Sequence, residues 1–581
     1  MYKIRTKVMA ALVLGLGFLT ACSNNDDLDN GGGTAPNGST YMSVAINLAT
    51  GAGTRADNQK DTGNGDNPDY NFVGKWAGQD KVNAIDVYVF NDADNLEAYQ
   101  NFPAGQFEVK GAAADHTVTI TPSKGIKVLP GTKTVYVVVN PTTDTQSFLP
   151  STLNTTTLVA FKEKYENVAS ASTNFFKLAN SGNNQTNVET SADKLAKVDA
   201  NNDVITMTAI EAATNVDVKD NVSEAATLAG NTTNRAKLTV KRAVARVMVT
   251  TKENSFEVKG DDPLTAEVET DAVLGTVKDI KYVVAQGEQA MYFMQRDGAS
   301  ADLTYKTPFS DYVANATNYT WALAGAQYDY SGLWKNYNAN GIGGVTVPTK
   351  ELYKKNDNPT TLGNISQALK DQLNGEFILP NTHKWGANQD ASGYRKGNTA
   401  YVLVRALFVP KKVVMEDGSI NQSYPEGKTF FMGANGVFYE NVKAARDAAN
   451  KGVAKQTAAQ YVNGKTIYFA WVNPDHADDG KWINSPVNRN NIYHIQIDGF
   501  KRIGSNWNPL VPNDPNHPND PTENPNNPDP KPKDGNPSEP NEPNEPPVKP
   551  DDPLTPKETW MSVQTTILPW NVHSYSVVLD M

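Results

Sequence analysis

The 581-residue chain contains a single cysteine. That excludes a disulfide framework and any multi-cysteine zinc or iron–sulfur site. Histidines number 6, and His116, His383, His476, His494, His517 and His573 are scattered, with none paired at metal-ligand spacing. His494, inside a strand-like run, reads as a surface or satisfied imidazole. Basic charge is short as well. Lys and Arg total 53 against 64 Asp and Glu, for a formal net charge of −11. Such a surface has no attraction for a phosphate backbone, so no nucleic acid partner is expected. Beyond the N-terminus no apolar run is long enough for a bilayer-spanning helix.

Catalytic signatures are missing too. The glycine-rich stretch 51–53 lacks the lysine and following helix of a phosphate loop. Asp475, Asp478 and Asp479 beside Gly480 fail the EF-hand spacing, and Arg296-Asp297-Gly298 reads as a turn. No catalytic residue, metal site or cofactor can be named, and an enzyme is not expected.

What is present begins with a targeting signal. Lys3, Arg5 and Lys7 precede an apolar run over 9–19, too short for a permanent span. Leu19-Thr20-Ala21-Cys22 then resembles a bacterial lipobox, making 1–21 a signal peptide and Cys22 the lipidated residue. The polar stretch 23–40 suits a flexible tether.

Strand-like segments dominate the body of the chain. Runs at 82–90, 134–139, 273–284, 401–409, 465–472 and 491–497 are β-branched and aromatic and end in turn residues. The run LTVKRAVARVMV over 238–249 also alternates, with Arg242 and Arg246 on a solvent face or paired with acidic neighbours. Helical patterns at 157–168, 223–228, 365–373 and 440–449 are minor, and the polar passage 180–203 reads as an exposed loop. Many short strands without strand–helix alternation predict an all-β protein of two β-sandwich domains, divided near residue 233. The domains expected are 56–233 and 234–505.

Composition then shifts. Half of the 34 prolines lie between Pro509 and Pro556. Pro509, Pro512, Pro515, Pro518 and Pro521 recur every third residue, the period of polyproline II. With little apolar to bury, 506–558 reads as a linker, extended at about 3.1 Å per residue. A strand-forming segment, 559–581, follows it. That segment either folds back as the last strand of its own domain, or frays, or is offered to a neighbour.

The two ends of the chain match. Tyr41-Met42-Ser43-Val44 parallels Trp560-Met561-Ser562-Val563. Alternation puts Met42, Val44, Ile46 and Leu48 on one strand face, and Met561, Val563, Thr565 and Ile567 on the other's. Val572, Tyr575, Val577 and Leu579 form a further apolar set. The loop after the first strand, GAGTRAD at 51–57, is small and polar, as nicked loops are. Cutting at Arg55-Ala56 frees 22–55 as a propeptide carrying the first strand. The vacated slot can then take a neighbour's terminal donor strand. Head-to-tail linkage of this kind does not close, so it builds a filament.

Motifs along the chain carry a family resemblance: YMS (41–43), NPDY (67–70), GKWAG (74–78), VAQGE (284–288), LPNTHK (379–384), GNTAYVLVR (397–405), RNNIYHI (489–495), NWNPLVP (506–512) and LPWNVHSY (568–575). In these the chain resembles the fimbrillins of Bacteroidales bacteria, and within them the subunits of the minor, short fimbriae of Porphyromonas. The resemblance implies two transthyretin-like β-sandwich domains, and a precursor lipid-anchored in the cell outer membrane before it joins an extracellular fimbrium. It implies cleavage by an arginine-specific protease, self-assembly as a homopolymer, accessory anchor and tip fimbrial subunits, and adhesion to host or bacterial surface receptors. A surface lipoprotein that stays anchored and binds glycans, without polymerising, is the alternative.

Overall fold

A computed structural model describes residues 40–48, 70–72, 80–112, 117–167, 175–178, 189–200, 202–229, 234–266, 271–300, 303–311, 326–337, 342–349, 375–384, 392–474, 483–510, 529, 548–554, 565–569 and 571–579. Strands predominate among them, with a few short helices, and the fold is all-β.

The first sheet runs in the order Leu96–Pro103, Ala84–Phe90, Gly131–Val139, Met207–Ala209, Arg235–Arg242, Thr40–Leu48, Thr117–Pro122 and Phe107–Ala112. Ala213–Val218 and Ile126–Val128 attach beside this path. Ala84–Phe90 and Gly131–Val139 pair antiparallel from Ile85↔Val139 to Phe90↔Thr134. Both are the β-branched and aromatic runs that suit a pleated, buried surface. The helix Leu158–Tyr165 packs on them. Thr157 caps it by accepting from the Ala160 amide. Phe161 and Tyr165, four residues apart on one helical face, join the core beneath. Tyr165 Oη donates to the Val137 carbonyl at 2.5 Å and accepts from the Ala209 amide at 2.8 Å, which satisfies a fully buried phenol.

The second core lies between two sheets. One runs Glu376–Ile378, Ala245–Thr251, Asn491–Phe500, Asn571–Leu579, Tyr70–Phe72 and Thr565–Pro569. The other runs Ser255–Gly260, Ala272–Ala285, Tyr401–Pro410 and Lys465–Trp471, with Val345–Thr346 on Ala272–Ala285. Val402, Val404, Ala406 and Phe408 face the core between the sheets. Tyr401 and Leu403, on the opposite face of the same strand, are buried in a separate apolar cluster. A strand covered on both faces needs a nearly continuous apolar run, which is what 401–410 supplies.

Several expectations change. The run 238–249 is two strands, not one: Arg235–Arg242 is hydrogen-bonded in the first sheet and Ala245–Thr251 in the second. The division expected near residue 233 therefore precedes a strand of the first sheet. Ala243 and Val244, both fully buried, carry the chain across without breaking its alternation. Nor are Arg242 and Arg246 solvent-facing. Arg242 pairs with Asp80 and reaches Asn490 Oδ1 at 3.0 Å. Arg246 Nη1 meets Asp203 Oδ2 at 2.8 Å and stacks over Phe377. The acidic-neighbour reading is the one realised. Asp203 thus makes the end of 180–203 a buried contact, in the hairpin Ala196–Asp199 and Asn202–Ile205, instead of an exposed loop. Arg296-Asp297-Gly298 lies in the strand Arg296–Ser300, not a turn. The helical pattern at 365–373 and the carboxylates of 475–479 lie outside the described residues.

The Pro-rich segment is also more than a spacer. Leu510 and Leu554 are buried against Tyr401, Leu403, Phe469 and Trp471. Backbone bonds fasten its end: Gly397 N donates to Pro550 O at 2.9 Å and Ile483 N to Leu554 O at 2.9 Å.

Candidate functional site

The strand Thr40–Leu48 sits inside the first sheet, with partners on both edges. It pairs parallel with Arg235–Arg242 in the register Ser43↔Arg235 to Leu48↔Val240. On the other edge it pairs antiparallel with Thr117–Pro122 at Ile46↔Ile120 and Leu48↔Val118, and with Ile126–Val128 at Thr40↔Val128 and Met42↔Ile126. Met42, Val44 and Ile46 have no exposure and Leu48 has 5%. These are the four side chains that alternation assigns to one face, and they belong to the first core. On the opposite face Ser43 is buried too, and its Oγ donates to Thr227 O at 2.9 Å. Thr227 belongs to the helix Glu224–Leu228, capped by Ser223.

One residue that the sequence does not single out holds the start of this strand. Asn234 Nδ2 lies within hydrogen-bond distance of Thr40 Oγ1, Tyr41 O and Lys219 O, at 3.2, 3.0 and 2.9 Å. Its Oδ1 accepts from the Lys219 amide at 2.7 Å. The Ser43 amide donates to Asn234 O at 2.9 Å. Asn234 has φ 53°, a left-handed conformation that asparagine tolerates better than most residues. A lone asparagine before a strand carries no motif, and its partners lie far off in sequence.

The other end of the chain is placed in a sheet of the second core. Asn571–Leu579 pairs parallel with Asn491–Phe500, from Asn491↔Asn571 to Ile497↔Val577, with a register shift before Gly499. Thr565–Pro569 pairs parallel with Tyr70–Phe72. Thr565 and Ile567 lie in the shorter strand, and Val572, Tyr575, Val577 and Leu579 in the longer. In this single chain the segment is folded back. Both ends therefore have the same kind of seat, a parallel partner: Arg235–Arg242 for the first strand and Asn491–Phe500 for the last. Cys22, Arg55, Ala56, Met561 and Val563 lie outside the described residues.

Buried titratable groups lie elsewhere in the fold. His494 is fully buried. Thr250 Oγ1 donates to Gln496 Oε1 at 2.6 Å and therefore accepts from His494 Nε2 at 2.9 Å. Burial lowers the His494 pKa to about 3. His383 Nε2 donates to Asn398 O at 2.8 Å, and burial lowers its pKa to about 4. Burial favours the neutral imidazole in both. Glu288 is buried, with its carboxyl held by Thr307 Oγ1 and the Phe309 amide, and burial pushes its pKa well above the ordinary carboxylate value. Among the described residues no group of three or more His, Cys, Asp or Glu is placed to hold a metal ion, and no helix is long and apolar enough to cross a membrane.

Known proteins bear on these two seats. The family model "Major fimbrial subunit protein type IV, Fimbrillin, C-terminal" matches residues 459–576. Two sequences from Porphyromonas gingivalis, both named minor fimbrium subunit Mfa1, are each 32% identical over 589 residues, covering 99% of this chain and 99% of their own. A crystal structure of a fimbrial assembly protein from Parabacteroides distasonis shares 11% identity at a TM-score of 0.20, over 48% of this chain and 74% of its own. Over 99% of its length, the chain belongs to the fimbrillin family of fimbrial subunits, with the Mfa1 minor fimbrium subunits as full-length relatives.

Proposed function

We propose that this protein is the repeating stalk subunit of a cell-surface fimbria that serves adhesion, assembled by exchange of strands between copies. Its precursor is exported as a lipoprotein on Cys22 and cut after Arg55 by an arginine-specific protease. Its partners are further copies of itself, anchor and tip subunits, and surface receptors.

The observation that carries this reading is the interior position of Thr40–Leu48. A cut after Arg55 separates that strand covalently from the rest of the chain. Its departure would bare two strand edges and the apolar slot of Met42, Val44, Ile46 and Leu48. At about 1.5–3 kcal/mol per side chain, those four account for roughly 6–12 kcal/mol of gross burial. An emptied slot of that depth favours refilling by a matching strand. The terminal segment repeats the aromatic-Met-Ser-Val pattern of the strand that leaves. Full-length similarity to minor fimbrium subunits supports the same conclusion.

A second reading has one observation in its favour. The pairing of Asn571–Leu579 with its own Asn491–Phe500 suits a monomeric lipoprotein that remains anchored. Two experiments separate them. Mass spectrometry of protein sheared from the cell surface should find Ala56 at the N-terminus of polymeric material. Truncation after Thr559 should abolish polymers. Fibres from the truncated chain would end the strand-exchange reading, and a monomer with lipidated Cys22 would establish the anchored one.

A further inference from the structure

Arg405 lies in the middle of Tyr401–Pro410, a strand buried on both faces, and it has no exposure. A guanidinium in such a place needs an anion within hydrogen-bonding reach, or its burial is strongly destabilising. Neither sheet supplies one. The anion is Asp529, from the middle of the Pro-rich segment. Its Oδ2 accepts from Arg405 Nε and Nη2, each at 2.7 Å. Its Oδ1 accepts from Lys465 Nζ at 2.5 Å. The carboxylate has no exposure. Burial alone would push its pKa up, but Arg405 and Lys465 outweigh that and hold it below the ordinary value. Arg405 Nη2 also donates to Leu333 O at 2.8 Å, and the Asn508 amide donates to Asp529 O at 3.0 Å. In sequence Asp529 stands between Pro528 and Pro530, whose fixed φ stiffens the chain on either side.

We propose that Arg405 and Lys465 form a carboxylate seat whose ligand is Asp529 of the same chain. By this seat the Pro-rich segment is pinned at Asp529 against the outer face of the sheet that holds Tyr401–Pro410 and Lys465–Trp471. The apolar contacts of Leu510 and Leu554 and the backbone bonds at Pro550 and Leu554 fasten its two ends to the same domain. Asp529 fastens its middle. A consequence follows if strands are exchanged, and it rests on that reading while the seat itself does not. The terminal segment, 559–581, then hangs from Leu554, with residues 555–558 as its tether. At no more than about 3.6 Å per residue, that tether spans at most roughly 15 Å, so the length of the Pro-rich segment does not set the spacing of subunits.

Tryptic cleavage of the full-length chain after Lys533 tests the seat. Lys533 precedes Asp534 and is open to trypsin in sequence, whereas Lys531 precedes Pro532 and resists. Asp529→Ala should speed that cleavage at least tenfold, and Asp520→Ala, which removes another acid of the same segment, should leave it unchanged. Lys465→Met removes one cation of the two and should give a smaller acceleration, keeping the test decidable should Asp529→Ala not fold. Folded variants at Asp529 and Lys465 cut at the wild-type rate would overturn the proposal. Equal acceleration by Asp520→Ala would overturn it too. None of these readouts depends on fibre formation.

Discussion

Asn234 donates from its side-chain amide to the Tyr41 carbonyl oxygen at 3.0 Å, tying the start of Arg235–Arg242 to the start of the strand beside it. The same amide bridges to Thr40 Oγ1 and Lys219 O. The first strand is thus held by hydrogen bonds at its entry as well as by its apolar face.

Replacing Asn234 tests that clamp. In Asn234→Ala the left-handed backbone costs about 1–2 kcal/mol, and the stranded polar partners about 1–3 kcal/mol more. A fall in stability of about 2–5 kcal/mol is expected in urea unfolding of the uncut protein. Asn234→Gly keeps the backbone conformation and should recover part of the loss. An unchanged midpoint in Asn234→Ala would show that the clamp contributes nothing.

Ile46 gives a sharper test because its importance should depend on processing. Ile46→Ala opens a cavity in the first core and should cost the precursor about 2–5 kcal/mol. Under the proposed cleavage, mature protein recovered from fibres would start at Ala56 and no longer contain the residue. Its thermal stability should match that of wild-type fibres. A fibre destabilised by this change would mean that the first strand is retained.

Acid should weaken the fold through the buried His383 and His494. The folded-state values of about 4 for His383 and about 3 for His494 lie below the ordinary 6.5. Below pH 6.5 the unfolded chain binds protons that the folded chain does not. Their contribution is therefore complete above pH 6.5 and declines as the pH falls through 6.5 toward 4. Each histidine adds up to about 1.4 kcal/mol per pH unit to that slope. Urea unfolding at pH 7, 6 and 5 measures it, and His494→Gln should make it shallower. An identical slope in the variant would remove His494 from the account.

Glu288 acts in the opposite direction. Burial raises its pKa, so the folded state retains a proton that the unfolded state releases above the ordinary value of 4.5. Stability from this group is lost as the pH rises from there toward the folded-state value. Glu288→Gln removes that dependence and should gain on wild type as the pH rises from 4.5 through the range in which only the folded wild type keeps the proton. Parallel stability curves over that range would refute the assignment.

Much of the architecture was legible in the chain because it rests on local pattern. The β-branched runs at 82–90 and 134–139 could bury only as strands, and Thr157 and Ser223 marked helix starts that are seen in the fold. The apolar face of the first strand was equally plain, since alternation alone places Met42, Val44, Ile46 and Leu48 together. Other features had no local signal. Arg242 and Arg246 look like the polar face of one long strand. Whether they meet water or Asp80 and Asp203 depends on residues 162 and 43 positions away. Asn234 and Asp529 were hidden in the same way, each an ordinary polar residue whose partners come from distant parts of the chain.

By itself the sequence determined the all-β class and the match between the two chain ends, and it carries the lipobox-like stretch before Cys22 on which the proposed export rests. These follow from composition, side-chain alternation and motif, which need no knowledge of distant neighbours. Tertiary structure decided that the first strand is interior, with a parallel partner on one edge and antiparallel ones on the other. It also decided that the terminal strand of the single chain pairs with its own Asn491–Phe500, and that the Pro-rich segment is held down at Asp529. The physical reason is common to all three. A strand's two edges and a buried charge are satisfied only by groups that folding brings from far along the chain, and no local pattern names them.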